Sequence, residues 1–227
     1  MPASTRSATA RRGPTSTGTG TLPEPPELDL ARIVEALDRH GVEYLIVGGH
    51  AARAYGARFL TRDSDCLVKM ERENLSRLAA ALRELHARLR ISGLSDEESA
   101  ALPVQIDAIL DQQTDFSNWR TDAGDLDVMK AMPGPDGAPR HYEDLAGDAR
   151  VLDYAGVRIR VASLNAIVAS KEFANRPKDR DALPELHLLQ ERMRGARHDR
   201  PNAAPPAAPP TGPHRCEPHR RGPTTGR

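Results

Sequence analysis

Apolar residues recur along this sequence at two spacings, and together they predict helices alternating with short strands. Apolar or alanine residues at helical spacing predict helices at about residues 29–40, 50–55, 75–89, 164–174 and 183–193. Asp29 and Ser163 precede the first and fourth of these segments, where their side chains are suited to cap a helix.

Shorter apolar or alternating segments predict the strands. They lie at about residues 44–47, 63–68, 104–110, 115–121, 126–128, 151–154 and 157–161. The first is almost continuously apolar, as is typical of a strand buried on both faces, and residues 133–137 have the composition of a turn. The order of elements predicts an α/β (α+β) fold, in which a small mixed β-sheet is flanked by helices.

The two ends of the chain differ in composition from the part between them. Residues 1–27 and 194–227 are rich in Pro, Ser, Thr, Gly and Arg and contain few apolar residues. Such segments cannot bury enough apolar surface to offset the entropy of ordering them. We therefore expect both ends to be disordered basic tails, and we predict one domain at residues 28–193.

The balance of charge supports this division and narrows the function. The chain has no net charge, but its ends carry ten arginines and only two acids, which leaves residues 21–193 with a net charge of −8. An acidic domain argues against a protein that binds nucleic acid by neutralising phosphates itself. It favours carboxylates that hold a divalent cation, which in turn contacts phosphate.

Cysteine content and hydropathy bound the setting. Cys66 lies in a strand pattern and Cys216 in the proline-rich end, so a disulfide framework is not expected. His214 and His219 lie near Cys216, but without a fourth ligand we expect no zinc site. No apolar run has membrane-spanning length, and the N-terminus lacks the apolar region of a secretion signal. We expect a soluble cytoplasmic protein with no membrane partner.

Two neighbouring patterns carry candidate chemistry. Asp63 and Asp65 are two residues apart in a predicted strand, so their side chains share one face, where a cation between them would relieve their repulsion. Gly48 and Gly49 end the preceding strand, and their backbone N–H groups can approach a phosphate closely. Alone, either pattern is explained by exposed acids on an edge strand or by a tight turn. Together they indicate a site for a metal ion and a nucleotide.

The stretch VGGHAARAYGARFLTRDSDCLV resembles the signature of the DNA polymerase beta-like nucleotidyltransferase superfamily. Two later segments, GDLDVMKAMPG and HYEDLAGDARVLDYAGVRIRVASLNAIVASKEFANRPKDRDALPEL, are similar to its small bacterial members, the minimal nucleotidyltransferases and the AbiEii-like toxins of toxin–antitoxin systems. Together these segments cover most of the predicted domain. The resemblance implies a nucleotidyltransferase fold, with one departure: His50 stands where many members have serine.

The resemblance also implies a third acid on a neighbouring strand. Asp127, which lies between apolar residues, matches this position best. Asp125 shares its predicted strand face and is a near alternative, and Asp107 is a more distant one.

Further residues match the resemblance less uniquely. Lys171 matches a basic position that faces the nucleotide and could bind a phosphate, or it could be a solvated lysine on a helix. Asp179 also follows the pattern, and a cap for the last helix explains it equally well. Arg62 is expected to pair with Asp63 rather than to contact phosphate.

The implied activity is magnesium-dependent transfer of NMP from an NTP to a hydroxyl of RNA, protein or a small molecule, with two metal ions and an unknown acceptor. The predicted metal and catalytic residues are Asp63, Asp65 and Asp127, and the predicted nucleotide-binding residues are Gly48, Gly49 and Lys171. The toxin type would add an antitoxin partner. The alternatives are a catalytically silent binding or regulatory module and, third, a nucleic-acid-binding protein that acts through its arginine-rich ends.

Overall fold

The computed structural model describes residues 26–91, 93, 98–99, 101–102, 104 and 116–198. One compact unit ends at Gln190, and a second begins at Glu191. The described part of the second unit, residues 191–198, is helical. Most of the predicted strand at 104–110, with Asp107, lies outside the described residues, as do nearly all of the predicted tails.

The helices begin and end where the sequence supplies suitable caps. They are α1 (Leu30–Arg39), α2 (Gly48–Ala54), α3 (Arg72–Glu84), α4 (Tyr142–Ala146), α5 (Leu164–Ala174) and α6 (Pro177–His198). The side chain of Asp29 accepts from the backbone N–H of Arg32, and that of Ser163 accepts from the N–H of Ala166. Both predicted N-caps are therefore confirmed. Across the described residues, no helix is long and apolar enough to cross a membrane.

Seven of the strands form one mixed sheet. The strands are β1 (Tyr44–Val47), β2 (Asp63–Val68), β3 (Arg88–Leu89), β4 (Phe116–Thr121), β5 (Gly124–Met129), β6 (Met132–Pro133), β7 (Pro139–Arg140), β8 (Arg150–Tyr154) and β9 (Val157–Val161). The sheet order is β3-β4-β5-β2-β1-β9-β8, and β6 and β7 form a separate hairpin. Strand β2 is parallel to β5, and β1 is parallel to β9, whereas the other pairs are antiparallel.

The predicted fold class, a mixed sheet flanked by helices, is confirmed. Strand β1 is buried along its whole length, as its apolar sequence predicted. The β8–β9 hairpin and α5 also form where they were predicted. The core is built largely from the sheet and from the apolar stripes of α1 and α3, with α1 packed against α3 and β9.

Three helix predictions differ from the structure. Leu89, predicted as the last leucine of a long helix, lies on β3, because α3 ends at Glu84 and His86 adopts a left-handed conformation (φ 50°) that turns the chain. Helix α2 begins at Gly48 rather than at His50, directly where β1 ends. Helix α6 begins at Pro177, earlier than its leucines indicate, because proline is well tolerated in the first turn of a helix.

A buried polar residue fixes β1 against β2 at the end far from the glycine pair. Asn74 is almost fully buried on α3. Its side chain accepts from the N–H of Glu43 and donates to the backbone carbonyls of Glu43 and Lys69. Glu43 precedes β1 and Lys69 follows β2, so one amide satisfies backbone groups of both strands. This contact supports the register that sets Val47 opposite Asp65.

Candidate functional site

Two parallel strands bring the predicted acids together. The register of β2 and β5 sets Asp63 opposite Asp125 and Asp65 opposite Asp127. Because side chains alternate along a strand, all four carboxylates share one face of the sheet. The residue between each pair is fully buried, Ser64 on β2 and Leu126 on β5. An acidic surface therefore lies directly over two central strands.

This surface opens into a cleft of about 950 Å³. The cleft is lined by all of the residues that the sequence predicted for metal and nucleotide, namely Gly48, Gly49, Asp63, Asp65, Asp127 and Lys171. They come from β2, β5, α5 and the turn into α2. The structure thus brings these six residues to one place, and their roles stay predictions.

The electrostatics of the cleft are unfavourable without a cation. Burial, and then the charge of Asp63, raise the pKa of Asp65 to about 6, although the N–H of Gly49 and two lysines act in the opposite direction. Burial, and then the charges of Asp65 and Asp63, raise the pKa of Asp127 to about 6. Each raised pKa shows that the ionised carboxylate is held in an environment that disfavours its charge.

One acceptor atom of the cleft has no partner. Oδ1 of Asp127 is buried and makes no hydrogen bond within the described residues. The same residues contain no group of three or more His, Cys, Asp or Glu side chains that could hold a metal ion alone. Magnesium does not require such a group, since it commonly binds one or two carboxylates together with phosphate oxygens and water. The acids therefore fit a magnesium ion that is shared with a phosphate-bearing substrate.

The glycine pair fits tightly beside these acids. Gly48 has φ 59° at the end of β1, and a Cβ at this position would overlap the carboxylate of Asp65. A Cβ at Gly49 would lie 2.5 Å from Oγ1 of Thr61. Thr61 Oγ1 in turn donates to the backbone carbonyl of Asp63 at 3.3 Å. Glycine is required here because the backbone passes directly against the acids and their support.

Asp127 and Asp125 have different surroundings although they share one strand face. The carboxylate of Asp125 accepts from Nε of Arg120 and lies 3.1 Å from Nη1 of Arg90. Two arginines therefore satisfy Asp125, and Asp125 does not line the cleft. Asp127 lines the cleft and keeps a free oxygen. The geometry favours Asp127 as the third acid over this alternative.

Lys171 is held by a buried ion pair. Its Nζ donates to Oδ1 of Asp179 at 3.2 Å and lies 5.5 Å from the ring centre of Phe59. Nε of Arg176 donates to Oδ2 of the same fully buried aspartate at 2.6 Å. Asp179 is thus the anchor of two cations, a role that the prediction of a helix cap missed. Lys171 is neither a solvated lysine nor an unpaired phosphate ligand.

Other predictions fall away from the cleft, and two cleft residues were missed. His50 is buried, and its Nδ1 lies 3.1 Å from the hydroxyl of Tyr154, outside the cleft lining. The expected pair of Arg62 with Asp63 is not formed among the described residues, since Arg62 is exposed and Asp63 contacts Thr61 instead. Arg176 and Lys178 line the cleft. No spacing in the sequence signals this, because the turn into α6 places them there.

No protein-family model and no curated protein matches the sequence. Among solved structures, the chain is similar to ANT(2″)-Ia in complex with adenylyl-2″-tobramycin, at 18% identity over 73% of this chain and 95% of that chain, with a TM-score of 0.44. It is also similar to the lincosamide antibiotic adenylyltransferase LnuA with bound lincomycin, at 12% identity over 72% and 99% of the two chains, with a TM-score of 0.48. Likeness at these scores carries no argument about function, so the proposal below rests on the residues of this chain.

Replacing Gly48 tests the close approach of the backbone to the acids. We expect Gly48→Ala to reduce the free energy of unfolding more than Gly41→Ala, measured by urea denaturation. Both glycines have left-handed conformations (φ 59° and 65°), so both variants lose about 1 to 2 kcal/mol from backbone strain. Only Gly48 would also overlap Asp65, whereas Gly41 has no atom within 4 Å of a Cβ, which adds about 1 to 3 kcal/mol for Gly48 alone. Equal losses in the two variants would contradict the close approach.

The ion pairs of Asp179 predict a dependence of stability on pH. Burial alone would raise the pKa of Asp179, but hydrogen bonds and charge from Arg176 and Lys171 lower it overall. The stabilisation is therefore present above the ordinary aspartate pKa of 3.8 and is lost as pH falls through the lowered folded value. We expect Asp179→Asn to cost about 2 kcal/mol at neutral pH, because two cations lose their counter-charge.

This loss should shrink as the pH is lowered towards about 3, as measured by thermal or urea unfolding over a pH series. Asp148→Asn, which changes an exposed aspartate, is the matched control and should alter stability by no more than about 0.5 kcal/mol. A loss for Asp179→Asn that is the same at every pH would show that the charge of Asp179 contributes nothing.

Proposed function

We propose that this chain is a magnesium-dependent nucleotidyltransferase that transfers NMP from an NTP to a hydroxyl acceptor. The observation that carries the proposal is the register of β2 and β5, which sets Asp65 beside Asp127 in a cleft closed at one side by the Gly48–Gly49 turn. A site for nucleotide transfer needs carboxylates for metal, donors for phosphate and room for two substrates. The cleft contains all three.

The residues divide between metal and phosphate. Asp63, Asp65 and Asp127 would hold magnesium, as one ion or two, together with phosphate oxygens of the NTP. When bound, magnesium would neutralise charge on the phosphates and on the leaving pyrophosphate. The backbone N–H groups at Gly48 and Gly49 would donate to phosphate oxygens, because no side chain stands between them and the cleft.

Cations on the helical side of the cleft would complete phosphate binding. Asp179 fixes the ammonium of Lys171 at the cleft wall, so that a phosphate would meet a positioned charge rather than a flexible one. Lys178 is exposed and lines the same cleft. The charges of Lys178 and Lys171 already act on the carboxylate of Asp65, which places positive charge within reach of the acids.

The reaction would be an in-line displacement at the α-phosphorus. The acceptor oxygen forms a bond to this phosphorus while the bond to the bridging oxygen of the β-phosphate breaks, and pyrophosphate leaves. The proton of the acceptor hydroxyl goes to a carboxylate. Oδ1 of Asp127 is suited to accept it, because this atom has no hydrogen-bond partner within the described residues.

A second candidate function is nucleotide binding without transfer, as in a regulatory module. One observation favours it: the ammonium of Lys171 is already paired with Asp179, so its charge is partly neutralised before a phosphate arrives. The two functions differ in turnover. Binding of an NTP with no labelled product over a broad set of acceptors would support the module.

The finer expectations stay predictions of the resemblance. These are the toxin type, an antitoxin partner and a cytoplasmic location. A short neighbouring gene that encodes a partner of this chain would support the toxin type, whereas neighbouring genes for biosynthetic enzymes would support a small-molecule acceptor.

The proposed reaction predicts that transfer depends on the acids in the cleft. In an assay with each α-labelled NTP, magnesium and a mixed acceptor pool, we expect Asp63→Asn combined with Asp65→Asn to reduce transfer at least about hundredfold, because the metal site is lost. Asp127→Asn should also reduce it. Thermal unfolding of each variant shows whether the fold is intact.

The matched control is Asp125→Asn, which alters an acid on the same strand face that is paired with arginines. We expect this variant to transfer nucleotide at close to the rate of the unaltered protein. A double variant that labels acceptors as fast as the unaltered protein would contradict the proposed function. A larger loss from Asp125→Asn than from Asp127→Asn would contradict the choice of third acid.

A further inference from the structure

Large apolar side chains are concentrated at the cleft although they are exposed to solvent. Phe116 and Phe173 are 56% and 53% exposed, and both line the cleft, as does Leu60, which is 90% exposed. Exposed aromatic side chains that gather around one concave site, rather than being scattered singly, mark a surface that binds an apolar partner or ligand.

These side chains belong to a continuous wall. Phe116 on β4 lies opposite Met129 on β5 in the antiparallel register. The β6–β7 hairpin follows β5 and packs against α5, which carries Phe173. The ring of Phe173 lies against the hairpin so closely that a Cβ at Gly137 would overlap it. We call this surface the apolar wall, and it consists of Phe116, Met129, Met132, Pro133, Gly137 and Phe173.

The apolar wall carries no charged side chain, in contrast to the rest of the cleft. The acids lie on β2 and β5, and the cations of the cleft lie at Lys171, Arg176 and Lys178 on the helical side. Two of these cations are paired with Asp179. A polynucleotide acceptor would carry phosphates past a surface without a cation, whereas protein contacts to nucleic acid go mostly to phosphate and sugar.

The size of the cleft also bears on the acceptor. Its volume of about 950 Å³ lies near the upper end of small-molecule sites, which span roughly 300 to 1,000 Å³. The glycine turn, the acids and the cations account for a triphosphate at one side. The apolar wall then remains for the second substrate, whose hydroxyl must reach the acids.

From this arrangement we infer the class of acceptor, an inference that rests on the proposed function. The acceptor is a small hydroxylated molecule with an apolar body, which packs against the apolar wall and presents its hydroxyl to the acids. Its oxygen forms the bond to the α-phosphorus as the bond to pyrophosphate breaks, and its proton goes to Asp127. RNA and protein acceptors are the competing outcomes of the test.

The first measurement uses N-phenyl-1-naphthylamine, a neutral apolar dye whose fluorescence rises on binding. We expect the full chain to bind it, and we expect Phe116→Ser and Phe173→Ser each to weaken binding about tenfold or more, since a phenylalanine contact is lost. Phe173→Leu, which keeps an apolar side chain, should restore most of the affinity. Leu188→Ser is the matched control, because Leu188 is 54% exposed but does not line the cleft.

The same dye separates acceptor from nucleobase. A non-hydrolysable NTP with magnesium should bind to the complex without displacing the dye. If the NTP displaces the dye, the apolar wall holds the nucleobase and the inference is overturned, while nucleotide binding stands. If dye binding is unchanged in both phenylalanine variants, the inference is also overturned. If no NTP binds and the dye still binds at the wall, the proposed function fails and the apolar site remains.

The second measurement identifies the acceptor by competition. Phenyl glucoside and methyl glucoside carry the same sugar hydroxyls and differ in their apolar body. We expect phenyl glucoside to displace the dye at lower concentration than methyl glucoside does, and we expect labelled NTP to leave a defined RNA oligonucleotide and the proteins of a cell extract unlabelled. Equal displacement by the two glucosides, or label on RNA or protein in amounts that require Asp65, would overturn the inference.

Discussion

The parallel pairing of β2 with β5 is the interaction on which the candidate site depends. Its register places Asp65 beside Asp127, so that folding brings together carboxylates whose charges repel each other. The hydrogen bonds of the ladder and the burial of Leu126 and Val128 behind it supply the free energy that offsets this repulsion. A shift of one residue would turn the acids to the opposite face. The chemistry of the cleft is therefore stored in the strand register.

The surrounding elements act on this acidic surface from two sides. On one side, β1 ends at Gly48, which lets the backbone turn past Asp65 where any side chain would overlap the carboxylate. On the other side, Asp179 gathers Lys171 and Arg176 at the ends of two helices. Donors and cations thus face the acids across the cleft, as a bound metal ion with its triphosphate would require. The apolar wall occupies the part of the cleft that this arrangement leaves uncharged.

The sequence predicted the elements well where a local signal marks their ends. Helix α5 is predicted to the residue, since Ser163 caps its start and Asn175 ends it in a left-handed conformation. The end of α3 was missed because the leucine spacing continues to Leu89, while the turn at His86 depends on a left-handed conformation that histidine does not signal.

The site was predictable only in part, because several contacts arise between elements distant in sequence. Asp63 and Asp65 could be placed on one face from their spacing, but Asp125 and Asp127 alternate with buried residues in the same way and are equivalent by pattern. They are distinguished by Arg90 and Arg120, which lie beside Asp125. The pairing of Lys171 with Asp179 likewise depends on the turn between α5 and α6.

The central claim is that the carboxylates of β2 and β5 bind an NTP through magnesium. Calorimetric titration of the full chain with each NTP, in magnesium chloride and again in EDTA, tests it most directly. The account predicts that at least one NTP binds with magnesium, and that affinity falls at least about tenfold either in EDTA or in the variant Asp65→Asn, since the phosphates then meet uncompensated carboxylates. Binding that is equally tight without magnesium and without the charge of Asp65, or no binding of any NTP, would contradict it.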